Sequence, residues 1–590
     1  MINKVDEDDA HMVSAASDWD VVTDVLVVGT GAGGLTAAIV AADQRLRVML
    51  IEKSDQFGGT SATSGGVVWI PASRAAQEAG HSDSADEGLA YIKALAGDEV
   101  ADARMRAFVA AGPEMLDYLG RTTEVRYVPI PYPDYHAELP GGKMGWRSLE
   151  PLTLDGRRLG ADLKRMRPTH PAGMLFGKMA WTAAEAAPLI TRSKGWIAML
   201  AKVILRYYGD IPQRLRSPRN RFLTTGTALI GRLKLSLDQR GVAIHYRSRL
   251  IDLVRDGQRV IGAEIEQDGK RLRVRAERSV ILASGGFERD PALRAHHLPS
   301  SPNPEWSGAQ ENNVGDGLMA ATRIGAATER LDSAWWTPTI KVPGEDRARP
   351  VIYERSLPGS IIVNRHGRRV TNESASYHVA AGDMQASVRG EGGQGGFHIL
   401  FDATFRKKYP MGPVIPFVPD SFFSKGVRSI LVKTRDWDRL AARIGVPADA
   451  LKATVERFNQ DAVRGVDSEF GRGGNGYDRL FGDPRVTPNP NLAPLLKAPF
   501  YAMPINPGDL GTNGGLSVDE HARVLDTAGY PIEGLYAIGN CAASVMGRSY
   551  PGAGATLGQA MTFGYVAARH SAGRHQADEA IDPALHAARA

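Results

Sequence analysis

Asp24-Val25-Leu26-Val27-Val28-Gly29-Thr30-Gly31-Ala32-Gly33-Gly34 is a short apolar run that turns at once into glycine. The first five residues have the composition of a buried strand, and Leu35 to Ala42 beyond the glycines is an alanine-rich helical stretch. A second apolar run, Arg47 to Ile51, ends on Glu52. Strand, glycine turn, helix, strand and acid in that order make a dinucleotide site. Glycines let the backbone approach a pyrophosphate, the helix start favours its charge, and the acid can accept from a ribose hydroxyl. Gly29, Gly31, Gly33, Gly34 and Glu52, with Lys53 beside it, are the expected contacts.

The rest of the chain bounds the answer. With 590 residues, 43% of them hydrophobic and 23% charged, it can fold into two or more domains around a substantial core. Its 71 basic and 66 acidic residues are mostly interspersed, so the net charge of +5 gives no reason to expect nucleic acid. Cys541 is the only cysteine, which excludes an intrachain disulfide and a multi-cysteine metal site and fits a reducing cytoplasm. No metal is expected. Residues 1–20, with Asp6, Glu7, Asp8 and Asp9, are too polar for a signal peptide and read as a loose tail. No run of about 18 uninterrupted apolar residues occurs, so nothing should span a bilayer.

The glycine pattern continues past the second strand, in Gly58-Gly59-Thr60-Ser61 and Ser64-Gly65-Gly66, a segment that a nicotinamide domain does not need. Three further elements agree: the strand Ser279 to Ala283 running into Ser284-Gly285-Gly286-Phe287, Asn313-Val314-Gly315-Asp316-Gly317 opening a helix, and Gly534 to Asn540 as a strand ending in a turn at Gly539. Each resembles the corresponding element of FAD-binding proteins in the fumarate reductase and succinate dehydrogenase flavoprotein superfamily. The resemblance implies FAD, with Asp316, Gly539, Asn540, Ala555, Thr556 and Leu557 added to its contacts. Respiratory members carry the flavin on a histidine of the glycine-rich segment; residues 58–66 contain none, so the FAD should be held non-covalently.

These elements occupy the two ends of the chain. The fold expected is α/β: a discontinuous Rossmann-type FAD-binding domain, residues 21–335 and 497–590, with an inserted α+β catalytic domain over 336–496 that carries substrate specificity. Residues 241–248, 250–255, 259–267 and 271–276 read as short strands of a meander turning at Asp268-Gly269. The widest irregular stretches are the Gly/Arg-rich segments 389–396 and 471–476. Leu189 to Phe222 stands apart. Trp196, Met199, Leu200, Val203 and Tyr207 recur at helical spacing among Arg192, Lys194, Lys202, Arg206, Arg214, Arg216, Arg219 and Arg221. Such a basic amphipathic helix suits an anionic membrane surface; the plainer reading is a surface helix packed on the nucleotide domain.

Chemistry concentrates near the C-terminus, where Gly539 to Gly564 sets the phenol of Tyr550 beside the bare amides of Gly552, Ala553 and Gly554. A hydroxyl and unshielded amides can hold a developing oxyanion. Ser549-Tyr550-Pro551-Gly552-Ala553-Gly554-Ala555-Thr556, Pro131 to Gly142 with its Pro133-Asp134-Tyr135, Glu354-Arg355-Ser356-Leu357-Pro358-Gly359 and Asn372-Glu373-Ser374-Ala375-Ser376-Tyr377 together resemble 3-ketosteroid Δ1-dehydrogenases nearly end to end. That family removes hydrogen from C1 and C2 of a 3-oxo steroid A-ring. An external acceptor of quinone or dye type then reoxidises the flavin.

The resemblance assigns roles. Desaturating carbons beside a ketone requires loss of an α-proton and a β-hydride, and the proton becomes acidic only if the carbonyl oxygen is stabilised. Tyr550 and Gly554 match the donors to that oxygen, Tyr377 the base and Tyr135 its supporting phenol. A free phenol titrates near ~10, so Tyr377 needs a neighbouring donor or a positive potential. Tyr132 and Tyr353 match pocket positions. Trp335 and Trp336 either floor the steroid cleft or pack a domain junction. Ala553, Arg548 and Gln559 depart from residues frequent in the family, proline, histidine and proline, and so mark where substrate choice can differ. Related flavoenzymes that desaturate C4–C5 or simple cyclic ketones remain alternatives. A fumarate reductase is disfavoured because Asn513 stands where such enzymes place a carboxylate-binding histidine. A non-enzymatic flavin protein at a membrane is the remaining alternative.

Overall fold

The computed structural model of the protein describes residues 19–191, 193–392 and 395–573, so the tail expected at 1–20 lies outside it apart from its last two residues. Strand β1 (Val21–Val28) passes into helix α1 (Ala32–Asp43) and returns as β2 (Val48–Ile51), which pairs with β1 in parallel from Val25–Val48 to Val28–Ile51. Val25 and Val27 face one core cluster while Leu26 and Val28 face another. Both faces of the strand are therefore covered, which is why its sequence is continuously apolar rather than alternating.

The stretch expected as one basic amphipathic helix is three short ones: α2 (Ala183–Thr191), α3 (Trp196–Tyr208) and α4 (Ile211–Arg216). Gly195, at φ +89°, starts α3, and Asp210 followed by a proline near the start of α4 ends the run. Many of the arginines are used inside this insertion. Arg206 pairs with Glu185 at 2.7 Å, Arg221 with Asp210 at 2.6 Å, and Arg214 lies over the Tyr207 ring. Its apolar residues divide as well: Val203 and Tyr207 are buried, whereas Ile197, Leu205 and Leu215 are exposed. Arg192 lies outside the described residues.

The meander also differs from expectation. β3 (Ile244–His245) joins the main sheet in parallel with β2, and only β4 (Ser248–Asp256), β5 (Arg259–Gln267) and β6 (Lys270–Leu282) form antiparallel turns. The segments 271–276 and 279–283, read as separate strands, are the single long β6, whose length lets it pair with β5 and then with β1 along Val21–Val274 to Val28–Leu282.

A second sheet is built from β7 (Ala334–Ile340), β8 (Ser360–Asn364), β9 (Phe397–Phe401) and β10 (Phe500–Thr512), with helix α5 (Tyr377–Gly390) packed against β7. β10 begins after residue 497 yet pairs with β7 and β9, so that strand belongs to the second sheet rather than to the first. The chain then returns to the main sheet through β11 (Pro531–Ala537), parallel to β6, and ends in α6 (Ala555–Ser571), which packs along α1. Gly33 permits that packing: a Cβ there would lie 2.7 Å from the Ala560 carbonyl oxygen.

The glycine-rich segment 471–476, expected to be irregular, surrounds a buried charge knot. Arg472 donates to Glu373 at 3.1 Å and to the Ser360, Arg355 and Leu357 carbonyls, while Arg369 binds Glu373 and Asp467 at 2.7 and 2.8 Å. The knot ties the segment at 354–359 to the one at 372–377. Charges this deep are tolerated because each is paired and hydrogen-bonded, and removing one partner from such a pair costs about 3–5 kcal/mol.

Candidate active site

One cavity of about 1010 Å³ runs from the start of α1 to the tyrosines. At the first end α1 begins at Gly31, Ser61 Oγ accepts from the Ala32 amide at 3.1 Å, and the next amides and the positive end of the helix open into the cavity. The glycine turn is required there: a Cβ on Gly34 would come within 2.1 Å of the Gly29 carbonyl oxygen. Glu52 lies beside it at the end of β2, accepting from the Thr30 hydroxyl at 2.5 Å and from the Ser54 amide at 3.0 Å. Lys53 pairs with Asp316 at 2.5 Å. Of the residues expected at the dinucleotide, Gly58, Gly286 and Ala555 stand behind the lining, and the others form it. Gly58 starts a short helix and donates its amide to Thr30 Oγ1; Gly286 lies against Thr512; Ala555 is a buried first residue of α6. These three shape the site from outside it.

At the other end the phenols converge. The Tyr135 hydroxyl donates to the Tyr377 hydroxyl at 2.7 Å. The Tyr550 ring centroid lies 5.3 Å from that of Tyr135 and 5.4 Å from that of Tyr377. Tyr377 is the first residue of α5, capped by Ser376, whose side chain accepts from Val379 N–H. Tyr550 precedes the turn into α6, where Gly554 sits at φ +101° as the cap. That position must be glycine, since a Cβ would also meet the Val67 carbonyl oxygen at 2.5 Å. Among the described residues no backbone carbonyl takes the Gly554 N–H. Gly554 and the three phenols all line the cavity, as do Tyr132 and Tyr353, whose rings meet edge-on at 6.2 Å.

Burial pushes the Tyr135 and Tyr377 phenols well above their ordinary range, and it raises Tyr550 as well. The Tyr135 bond opposes burial at Tyr377, and the hydroxyls of Tyr377 and Thr556 oppose it at Tyr550. The loop carrying Tyr135 is held rigidly. Pro551 O accepts from both the Tyr91 hydroxyl and the Tyr135 amide at 2.8 Å, and Asp134 accepts from Trp69 Nε1 at 2.7 Å and from Arg147 at 2.8 Å. Desolvation lifts Asp134 to about 6 despite Arg147.

Other expected residues fall elsewhere. Trp335 and Trp336 do not line the cavity. Trp335 backs Tyr550 with ring centroids 4.7 Å apart and donates Nε1 to Asn540 at 3.1 Å, and Trp336 packs in the core on the far side of the main sheet. Of the three departures, only Ala553 lines the cavity; Arg548 pairs with Glu99 and Asp332 at the surface, and Gln559 is buried, accepting from Ser544 Oγ and Val545 N–H. Asn513 is buried outside the cavity. His378 was missed. It accepts from Trp336 N–H at 3.2 Å through Nδ1, bonds the Arg548 carbonyl at 2.9 Å through Nε2, and is held neutral by burial at about 4. Its place directly after Tyr377 was the available signal.

A glycine-lined helix start, an acid at the next strand and a cavity reaching a phenol cluster define an FAD-binding flavoprotein. The FAD binding domain family matches residues 24–557. A 3-oxosteroid 1-dehydrogenase of Mycolicibacterium smegmatis is 38% identical over 92% of this chain and 96% of its own. A 4-oxocyclohexanecarboxylate 2-dehydrogenase of Sinomonas cyclohexanicum is 37% identical over 93% of each chain. The crystal structure of a 3-ketosteroid Δ1-dehydrogenase from Sterolibacterium denitrificans, in complex with 1,4-androstadiene-3,17-dione, superposes with a TM-score of 0.90 at 42% identity, covering 94% of this chain and 99% of that one. The chain belongs to the 3-oxosteroid 1-dehydrogenase family of FAD-binding flavoproteins.

Proposed function

We propose that the protein is an FAD-dependent 3-oxosteroid 1-dehydrogenase of steroid degradation, which desaturates C1–C2 of a 3-ketosteroid A-ring. The observation that carries this reading is the Tyr135–Tyr377 hydrogen bond of 2.7 Å, set beside Tyr550 and Gly554 on the wall of the cavity that begins at α1. The main sheet with α1 is read as a Rossmann-type FAD domain, and the second sheet as an inserted α+β domain whose last strand is β10. FAD fits the glycine-lined α1 terminus, Glu52 and the glycine turns, would be bound without a covalent link, and would supply a two-electron acceptor for the hydrogen leaving C1 as hydride.

The protein's own groups do the rest. Tyr550 O–H and Gly554 N–H donate to the C3 ketone oxygen, and the positive end of α6 adds to the stabilisation as charge develops there. Tyr377 takes the C2 proton in its phenolate form, which the Tyr135 donation favours. Tyr132 and Tyr353 line the ring pocket. His378 is a positioning residue: its two bonds hold the start of α5 against β7 and the turn before Tyr550.

Anaerobic flavin bleaching tests this. 4-Androstene-3,17-dione should bleach the flavin and yield a C1–C2 double bond, seen by mass spectrometry and NMR. Preference for a 5α- or 5β-reduced ketone with a C4–C5 product would overturn the regiochemistry. Preference for 4-oxocyclohexanecarboxylate would move the substrate to simple cyclic ketones, and a steroid-inert flavin reoxidised by fumarate would remove the desaturase. A quinone or dye is the proposed acceptor.

No described helix is long and apolar enough to cross a membrane. Contact at a membrane surface rests on the exposed Ile197, Leu205 and Leu215 of the 189–222 insertion. Equal co-sedimentation of the wild type and a Leu205→Asp/Leu215→Asp variant with anionic liposomes would exclude it.

A further inference from the structure

Behind the phenols lies a buried row of three charges. Arg147 is bidentate to Asp83 at 2.7 and 2.9 Å and reaches Asp134 with its remaining nitrogen at 2.8 Å. Asp134 and Arg147 are each 1% exposed, and neither lines the cavity. Two carboxylates share one guanidinium, so the row holds one uncompensated negative charge, and burial lifts the Asp134 carboxyl to about 6. The other charged groups around the row are engaged with each other: Lys143 pairs with Glu87 at 2.6 Å, and His136 lies 3.6 Å from Glu138. Burial and the Asp134 charge keep the Tyr91 phenol neutral.

Asp134 joins the two halves of the phenol site. Its Oδ2 also accepts the Lys143 amide at 3.0 Å and its own amide donates to the Lys143 carbonyl at 2.9 Å, which closes the loop that carries Tyr135. Its Oδ1 accepts from Trp69 Nε1 at 2.7 Å. The turn after Tyr550 rests on that indole: a Cβ on Gly552 would lie 2.7 Å from Trp69 Cδ1 and 3.4 Å from Asp134 Oδ1. Ser148, paired with Trp69 across the short strands Val68–Trp69 and Ser148–Pro151, donates to the Ala553 carbonyl at 2.8 Å. One carboxylate therefore fixes the Tyr135 backbone on one side and, through Trp69, the Gly552–Gly554 turn on the other.

Resting on the 3-oxosteroid reading, we propose that Asp134 is a positioning residue for the desaturation: as the carboxylate it holds the Tyr135–Tyr377 pair and the Tyr550 and Gly554 donors in one register. Both of its oxygens face donors, so a proton on either one sets donor against donor and cancels the charge that Arg147 attracts. The two halves then lose their common anchor, and a misplacement of about 1 Å at such a site costs on the order of 10²-fold in rate. The active form is the ionised one, so rate is lost as pH falls through about 6. This loss adds to the one caused by protonation of the Tyr377 phenolate, and the plot of log rate against pH steepens below that point.

The test is stopped-flow anaerobic flavin reduction by saturating 4-androstene-3,17-dione across the pH range, in the holoenzyme. The wild type should show the break near 6. Asp134→Asn offers one acceptor oxygen where two are used, so its amide group must face a donor. Reduction should be slower by about tenfold or more at pH ~8 and the break should vanish, with the bound-flavin spectrum unchanged because the row is off the cavity. Trp69→Phe keeps a ring under Gly552 and removes one donor to the carboxylate, so its break should move up by about one pH unit. That shift decides the matter if the Asn chain does not fold. A wild-type profile without the break overturns the proposal, as does a break that persists in Asp134→Asn or stays in place in Trp69→Phe. A flavin that the steroid reduces at no pH overturns the desaturase reading and this role with it, whereas reduction without the break overturns the role of Asp134 alone.

Discussion

Around Tyr377 the cavity wall is assembled from distant parts of the chain and most of its polar atoms are tied down, whereas the lining that α2, α3 and the 413–427 segment give the same cavity is mostly apolar side chains. Tyr135 is held by Pro551 and Tyr377, Asp134 by Trp69 and Arg147, and His378 by Trp336 and Arg548. On the other side Phe417 and Phe422 stand in solvent. The contrast separates two tasks. Proton removal needs groups fixed to fractions of an ångström, while holding an apolar ring system needs only area and shape.

The comparison breaks most sharply at the base. Tyr377→Phe keeps the ring and its packing and removes the proton acceptor, so flavin reduction by a 3-ketosteroid should fall about 10³-fold, within the span expected for loss of a general base. The bound-flavin spectrum should stay the same. Near-normal turnover would take Tyr377 out of the mechanism. Tyr550→Phe removes one of two donors to the ketone oxygen and leaves Gly554, so its loss should be smaller, about 10²-fold, and should fall on kcat more than on KM.

Tyr135→Phe sharpens the comparison through pH. Burial raises the Tyr377 pKa well above its ordinary value, and the Tyr135 donation is what lowers it again. The reacting form is the phenolate, so the rate of flavin reduction should climb with pH on the alkaline side. Deleting the donor destabilises the phenolate and raises the pKa further, so that limb must move to higher pH, with a loss of about tenfold at neutral pH from a hydrogen bond to a charged group. Stopped-flow reduction across the pH range gives the limb directly; a limb that stays in place would mean that Tyr135 only packs.

How much of this was legible in the sequence follows from what each signal encodes. The turn at Gly29–Gly34, Glu52 and the cofactor segments are local patterns with fixed spacing, and they could be read without the fold. The phenols were legible as motifs, but their meeting was not, because Tyr135, Tyr377 and Tyr550 come together only when the 131–142 loop, the start of α5 and the α6 turn pack. In the basic stretch at 189–222 the apolar spacing from Trp196 to Tyr207 does mark a helix, α3, but the flanking arginines carry the reading past Gly195 and Gly209, where that helix ends. The segment 471–475 is irregular as its glycines suggest, but composition does not show that Arg472 is buried against Glu373, a partner 99 residues away.

The smallest expected effect concerns Arg548, which sequence comparison placed at the substrate end because the family often has histidine there. Its side chain pairs with Glu99 at 3.2 Å and Asp332 at 2.8 Å, half exposed and off the cavity, and only its backbone carbonyl reaches the site, by accepting from His378. Arg548→Ala keeps that carbonyl. Solvent-exposed pairs of this kind contribute about 0–1 kcal/mol, so thermal stability should change little. The ratio of kcat/KM values for alkyl-bearing and 17-oxo ketones should change by less than about twofold, since no distinguishing contact is lost. A larger change in that ratio would show that substrate choice extends to the catalytic wall, and the division of labour between the two walls would no longer hold. Ala553, which does line the cavity, is the departure at which a substitution to the family's proline should alter the ratio instead.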